Sequence, residues 1–244
     1  MLQFKCDNMK LKKEYWTNQD YIEFTDYLKH IANIKYKQFS EKIIFDNTIL
    51  GINIPTLTKI ANEIYKGNYI EFLEISKNDT YEEKLIYALV ISNIKDYNVV
   101  ICYINKYKYK INNWALCDIL CSHLKIVKKY QKEFLMYIKR NIKNQNLWIK
   151  RMCFVLLLNY YIEEEYINDI FDMINKYNSN DYYVQMSVAW LISICYVKYK
   201  EKTLKYLENK ELDNFTYNKA LQKIIESKRV TKEEKNIIRN MKRG

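Results

Sequence analysis

The sequence predicts an all-α protein, an α-solenoid of stacked helical pairs with one concave face. Three observations carry that prediction. Apolar residues recur at helical spacing along nearly the whole chain of 244 residues. Three glycines and one proline leave almost no material for tight turns and hairpins. Tryptophan-bearing segments return at positions 114, 148 and 190, separated by 34 and 42 residues, within the range of helix-pair repeats. Such repeats bury their apolar faces against one another, and the stack curves into a long concave surface.

In chain order, residues 1–20 read as an N-terminal arm or an extra helix, and 21–244 as a single domain undivided by any linker or composition shift. The first amphipathic segment is "YIEFTDYLKHIANI", from Tyr21. "IPTLTKIANEIYKG" follows, with Pro55 in the first turn and Gly67 as its stop. "TYEEKLIYALVISNI" opens on a capping box, Thr80 with Glu83, and near the C-terminus "VTKEEKNIIRNM" repeats the device with Thr231 and Glu234. Between them the periodicity places helices near 69–77, 97–107, 113–126, 129–143, 147–161, 164–176, 182–198, 201–208 and 216–227. About a dozen helices on short joints rich in Asn, Asp and Ser make antiparallel neighbours.

Composition excludes several functions. So few glycines rule out Gly-rich phosphate and dinucleotide loops. No run of about 18 uncharged apolar residues occurs, so a membrane span is not expected. The opening "MLQFKCDNMKLKKEYW" has no signal-peptide core, which predicts a cytoplasmic chain, nucleoid-associated when bound to DNA. Cys6, Cys102, Cys117, Cys121, Cys153 and Cys195 show no C-x-x-C spacing and sit mostly in apolar runs, as buried thiols of a reducing compartment do. Cys117 and Cys121 lie one turn apart but His123 falls about 200° from Cys121 around the helix, so no metal is expected.

Charge points outward to a polyanion. Forty Lys and Arg against 29 Asp and Glu leave a formal +11, which favours nucleic acid first and an acidic membrane surface second. Catalytic devices are scarce by contrast. The two histidines, His30 and His123, stand in no metalloenzyme spacing, and the acidic run Glu163 to Glu165 reads as the first turn of a helix. What stands out is a series on successive helices: Trp114 with Asp118, Trp148 with Arg151, then Trp190. Four residues apart, Trp114 and Asp118 share one helix face, either as the wet edge of a core stripe or as the lining of a site.

At these residues the sequence resembles the HEAT-like-repeat DNA alkylation-repair glycosylases of the AlkD type, from about residue 20 to 243. "LGINIPTLTKIANEI" is similar to that family's N-terminal helix start, and "NNWALCD", "WIKRMCFVLLLNYYI", "YYVQMSVAWLISICY" and "TYNKALQKIIESKRV" to its later segments. The resemblance implies a base-excision-repair hydrolase, acting without metal or organic cofactor, that removes cationic N3- or N7-alkylated purines such as 7-methylguanine and 3-methyladenine from duplex DNA. It places the catalytic aspartate at Asp118, the sugar-contacting tryptophans at Trp114 and Trp190, and the cleft arginine at Arg151. Lys150, Lys219, Lys223, Lys228 and Arg229 cluster around the later motifs and are expected to meet phosphates. A monomer is expected. Other classes these features allow are a non-catalytic paralogue that binds distorted or branched DNA and, behind it, a HEAT-type scaffold for another protein.

Overall fold

A computed structural model describes residues 9–176, 179–208 and 212–244. Cys6 and the first eight residues of the expected arm lie outside the described residues. Among the described residues there are fourteen α-helices, one 3-10 turn at Lys125–Lys128 and no strand. They divide into two compact units, one ending at Ile126 and one beginning at Val127.

The first unit contains α1 (Asn18–His30), α2 (Ile34–Glu41), α3 (Ile54–Tyr65), α4 (Tyr69–Ile75), α5 (Tyr81–Asn93), α6 (Tyr97–Tyr107) and α7 (Trp114–His123). At its centre is α5, which packs against α3 on one side and α7 on the other. Its sequence explains that position, because a helix apolar on all sides must be covered on all sides. Every residue from Leu85 to Ser92 is buried. Even its first-turn acids are inside. Glu83 completes the expected capping box with Thr80 and accepts the Tyr21 hydroxyl. Glu82, fully buried, accepts three consecutive amides, from Leu50 at 2.8 Å, Gly51 at 2.8 Å and Ile52 at 3.1 Å. That turn needs glycine, because Gly51 has φ +104° and a Cβ there would meet the Asn33 carbonyl oxygen at 2.4 Å.

The segment before α1 is tied down as well. Trp16 is buried with its ring edge-on to Phe24 and Phe72, and its amide donates to Glu71 Oε2 at 2.8 Å. Nearby, the Asn68 amide donates to the Lys13 carbonyl at 2.7 Å. Gly67 owes its identity to this approach, since a Cβ would stand 2.3 Å from the same carbonyl oxygen.

The second unit contains α8 (Gln131–Asn141), α9 (Leu147–Tyr160), α10 (Ile167–Asn175), α11 (Tyr182–Lys198), α12 (Lys200–Glu208), α13 (Asn214–Glu226) and α14 (Lys232–Asn240). Here α11 packs against both α9 and α13, while α8, α12 and α14 each lean on a sequence neighbour. Alternate helices thus touch in both units, α3 with α5 and α5 with α7 in the first, α9 with α11 and α11 with α13 in the second.

Two departures from expectation have a clear physical cause. α2 was not foreseen, because its apolar residues do not turn inward: Ile34 is 65% and Phe39 58% exposed, and only Ser40 is buried. Its one local signal is the Asn33 cap, which accepts the Tyr36 amide. α1 begins at Asn18, ahead of the first apolar residue, because Thr17 and Asp20 form a capping box. Of the cysteines described, Cys117, Cys121, Cys153 and Cys195 are buried, whereas Cys102 is exposed. Burial pushes the Cys195 thiol up to about 12. Among the described residues no helix is long and apolar enough to cross a membrane.

Candidate functional site

The open side of α7 carries Trp114, Asp118, Ile119, Ser122 and His123. Asn113 caps the helix, its side-chain oxygen accepting the Leu116 amide at 3.0 Å. Trp114 is the first helical residue and Asp118 stands one turn later, both partly exposed, while Ala115, Leu116, Cys117, Leu120 and Cys121 are buried. The four-residue spacing therefore does what it predicted, placing both side chains on the wet side of a helix whose other side is apolar and buried. The indole of Trp114 is anchored, its Nε1 donating to the Ile43 carbonyl at 3.1 Å.

That carbonyl belongs to the loop between α2 and α3, where side chains alternate: Ile43 and Phe45 point out, Ile44 and Asp46 point in. The Asp46 carboxylate accepts the Thr48 amide at 2.9 Å, the Thr48 hydroxyl at 2.6 Å, and the side-chain amides of Asn112 at 3.1 Å and Asn113 at 3.2 Å. Lys84 Nζ lies 4.0 Å away. Burial works to raise the Asp46 pKa, but the Thr48 and Asn112 hydrogen bonds and the Lys84 charge outweigh it and hold the carboxyl below its ordinary range. Sequence reasoning missed Asp46, because its partners in "NNW" lie 66 and 67 residues further on.

In the second unit Arg151 lies one turn into α9 and is only 6% exposed. Its guanidinium donates to the Tyr183 carbonyl at 2.6 Å, and the rings of Trp148 and Tyr183 meet at 5.0 Å between centroids. The bond ties α9 to the start of α11. Trp190 is partly exposed on α11, seven residues beyond Tyr183 and so on the same face. Tyr183 links Arg151 and Trp148 to the helix that carries Trp190, a role no local pattern announced.

The expected phosphate contacts divide. Lys150 is turned inward at 9% exposure. Lys219 and Lys223 stand four apart on α13 and are half-buried, with Lys219 Nζ on Gln222 Oε1 at 3.1 Å. Lys228 and Arg229 are exposed in the joint before α14. Arg229 also lines a groove of about 530 Å³ with Lys128, Lys198, Glu163 and the apolar Leu158 and Ile194. The basic members Lys128 and Lys198 were not foreseen, since only the fold brings them beside Arg229. Ile194 is one turn beyond Trp190, so the groove continues the stripe on which Trp190 stands.

A family model described as DNA alkylation repair enzyme matches residues 25–224. The match includes Trp114, Asp118, Trp148, Arg151, Trp190, Lys219 and Lys223, and ends before Lys228 and Arg229. No curated protein matches the sequence.

Proposed function

Because this chain belongs to the DNA alkylation repair enzyme family, we propose that it is a monofunctional DNA glycosylase, hydrolysing the N-glycosidic bond of cationic N3- and N7-alkylated purines in duplex DNA. The observation that carries the reading is the open face of α7, where Trp114 and Asp118 stand one turn apart, both partly exposed, on a helix whose other side is packed inside.

An N-alkylated purine already bears positive charge and leaves as a neutral base, so the enzyme need not protonate it. The C1′–N bond breaks, the deoxyribose takes on oxocarbenium character, and water adds at C1′ with loss of a proton, giving an abasic site and the free base. Asp118 stabilises the developing cation and orients the water. By comparison with other preorganised electrostatic groups this contributes about 3 kcal/mol. Trp114 and Trp190 offer electron-rich faces to the sugar and its charge. Arg151 is assigned a flanking phosphate, and Lys219, Lys223, Lys228 and Arg229 add contacts that do not depend on sequence. No cofactor is needed, since the nucleophile is water.

The same reading takes the fold as a single-domain α-solenoid of HEAT-like repeats whose concave face receives DNA, and the protein as a monomer. The contacts between alternate helices within each unit support the repeat packing. 7-Methylguanine and 3-methyladenine are the proposed lesions, with selectivity coming from the lability of the cationic base. Neutral lesions are then poor substrates.

Release of free 7-methylguanine from methylated duplex DNA by the wild type and by Asp118→Asn tests the proposal. Asp118→Asn should lose about a hundredfold in rate while binding DNA nearly as well. Strong residual release by that variant would remove Asp118 from the mechanism. Binding without release by either protein would favour the non-catalytic paralogue that recognises distorted DNA.

A further inference from the structure

We infer that Asp46 is a positioning residue for α7, setting the orientation of the Trp114 indole and with it the geometry in which Asp118 meets a deoxyribose; the catalytic part of this inference rests on the glycosylase reading. Trp114 is held at two points. Its ring nitrogen donates to the Ile43 carbonyl, and its backbone follows directly from the Asn113 cap. Asp46 joins those points. Its Oδ1 pins the loop that presents Ile43 by closing a turn on Thr48, and its Oδ2 takes the side-chain amides of Asn112 and Asn113.

The chemistry of the node explains why it holds a carboxylate. The groups that meet it are donors: an amide N–H, a hydroxyl, two side-chain amides and, at 4.0 Å, an ammonium. An ionised carboxylate is acceptor-only and suits such a shell. An asparagine in its place would turn an NH₂ toward one pair of donors. Asn113 could not rotate to relieve the conflict without surrendering the Leu116 amide that it caps. At 1% exposure the Asp46 side chain has almost no solvent to replace what is lost. The cap and the Ile43 carbonyl would then shift relative to each other, and the indole between them would tilt.

Two readouts test this, one of them independent of catalysis. The chain has four tryptophans, so the indole N–H signals of a ¹⁵N-labelled sample are few, and Trp114→Phe assigns the relevant one. Asp46→Asn should move the Trp114 indole signal and speed its hydrogen exchange while leaving that of Trp190 in place. In single-turnover excision from methylated duplex DNA the same variant should lose about tenfold to a hundredfold in maximal rate. Half-saturation should stay within about twofold, the pattern of an effect confined to the transition state. Adding Asn113→Asp to Asp46→Asn moves the charge across the pair, keeps a good cap and should recover much of both losses. Asn112→Ala removes one donor from an exposed residue, and should shift the indole signal less in the same direction even if Asp46→Asn does not fold. An unmoved Trp114 signal in these variants overturns the positioning role. A moved signal with an unchanged maximal rate overturns its link to catalysis. A wild type that releases no base would overturn the glycosylase reading instead, and the indole signal would still decide the placement of Trp114.

Discussion

Replacing Glu82 by glutamine should destabilise the protein by about 3 to 5 kcal/mol, a large share of the 5–15 kcal/mol that holds a typical domain together. The figure follows from the geometry of one fully buried carboxylate. Oε1 accepts Gly51 and Ile52, and Oε2 accepts Leu50. Glutamine can keep its single carbonyl oxygen on the Gly51 and Ile52 amides, but as a neutral acceptor, at a loss of about 1 kcal/mol for each bond. Its NH₂ then faces the Leu50 amide, and an unpaired buried donor costs about 1–3 kcal/mol. Removing a charge from the interior also removes its desolvation cost, which pulls the total toward the lower end of the range. Urea denaturation followed by circular dichroism measures the change as a shift of midpoint at constant slope. Glu82→Ala, which orphans all three amides, should cost more. A Gln variant within about 1 kcal/mol of the wild type would refute the reasoning, because water would then have to reach the cradle.

Tyr107 gives a prediction of opposite sign. Its hydroxyl is buried without a partner among the described residues, and its ring stacks on Tyr87 at 5.5 Å. Tyr107→Phe should therefore be neutral or stabilising by about 1 kcal/mol, and a loss of 2 kcal/mol or more in the same denaturation assay would mean that the hydroxyl is hydrogen-bonded. Asp20 gives a pH dependence. Hydrogen bonds from Lys13 and then Thr17 lower its pKa from 3.8 to about 2. A carboxylate depressed in the folded state stabilises it above the unfolded pKa, so the capping of α1 should be intact above about pH 4 and fade as the pH falls through 2. A carboxyl titration by NMR with Asp20 near 4 would contradict that.

Much of the helical order was legible because burial writes a period into the chain. The expected bounds 97–107 and 182–198 match α6 and α11, and the capping boxes at Thr80 and Thr231 open helices where they should. α2 was invisible for the same reason. With Ile34 and Phe39 exposed, it has no inward stripe to detect. In the candidate site the pairing of Trp114 with Asp118 followed from spacing alone, a local property. Asp46 and Tyr183 act across 66 or 67 and 32 residues respectively, and nothing in a linear pattern marks such partners. Lys150 and Arg151 show the limit of reading charge as exposure. They sit in α9, where every residue from Ile149 to Leu157 is buried, so residues expected to face phosphates are largely enclosed.

Trp16 sets a practical limit on how the chain can be cut. Periodicity alone puts the start of the folded region at Tyr21, and a truncation there would look harmless. It would remove an indole that is 4% exposed and uncover Phe24 and Phe72, whose rings it covers edge-on. The shortened protein would display an aromatic patch where the full chain has a closed edge, and self-association would be its first symptom.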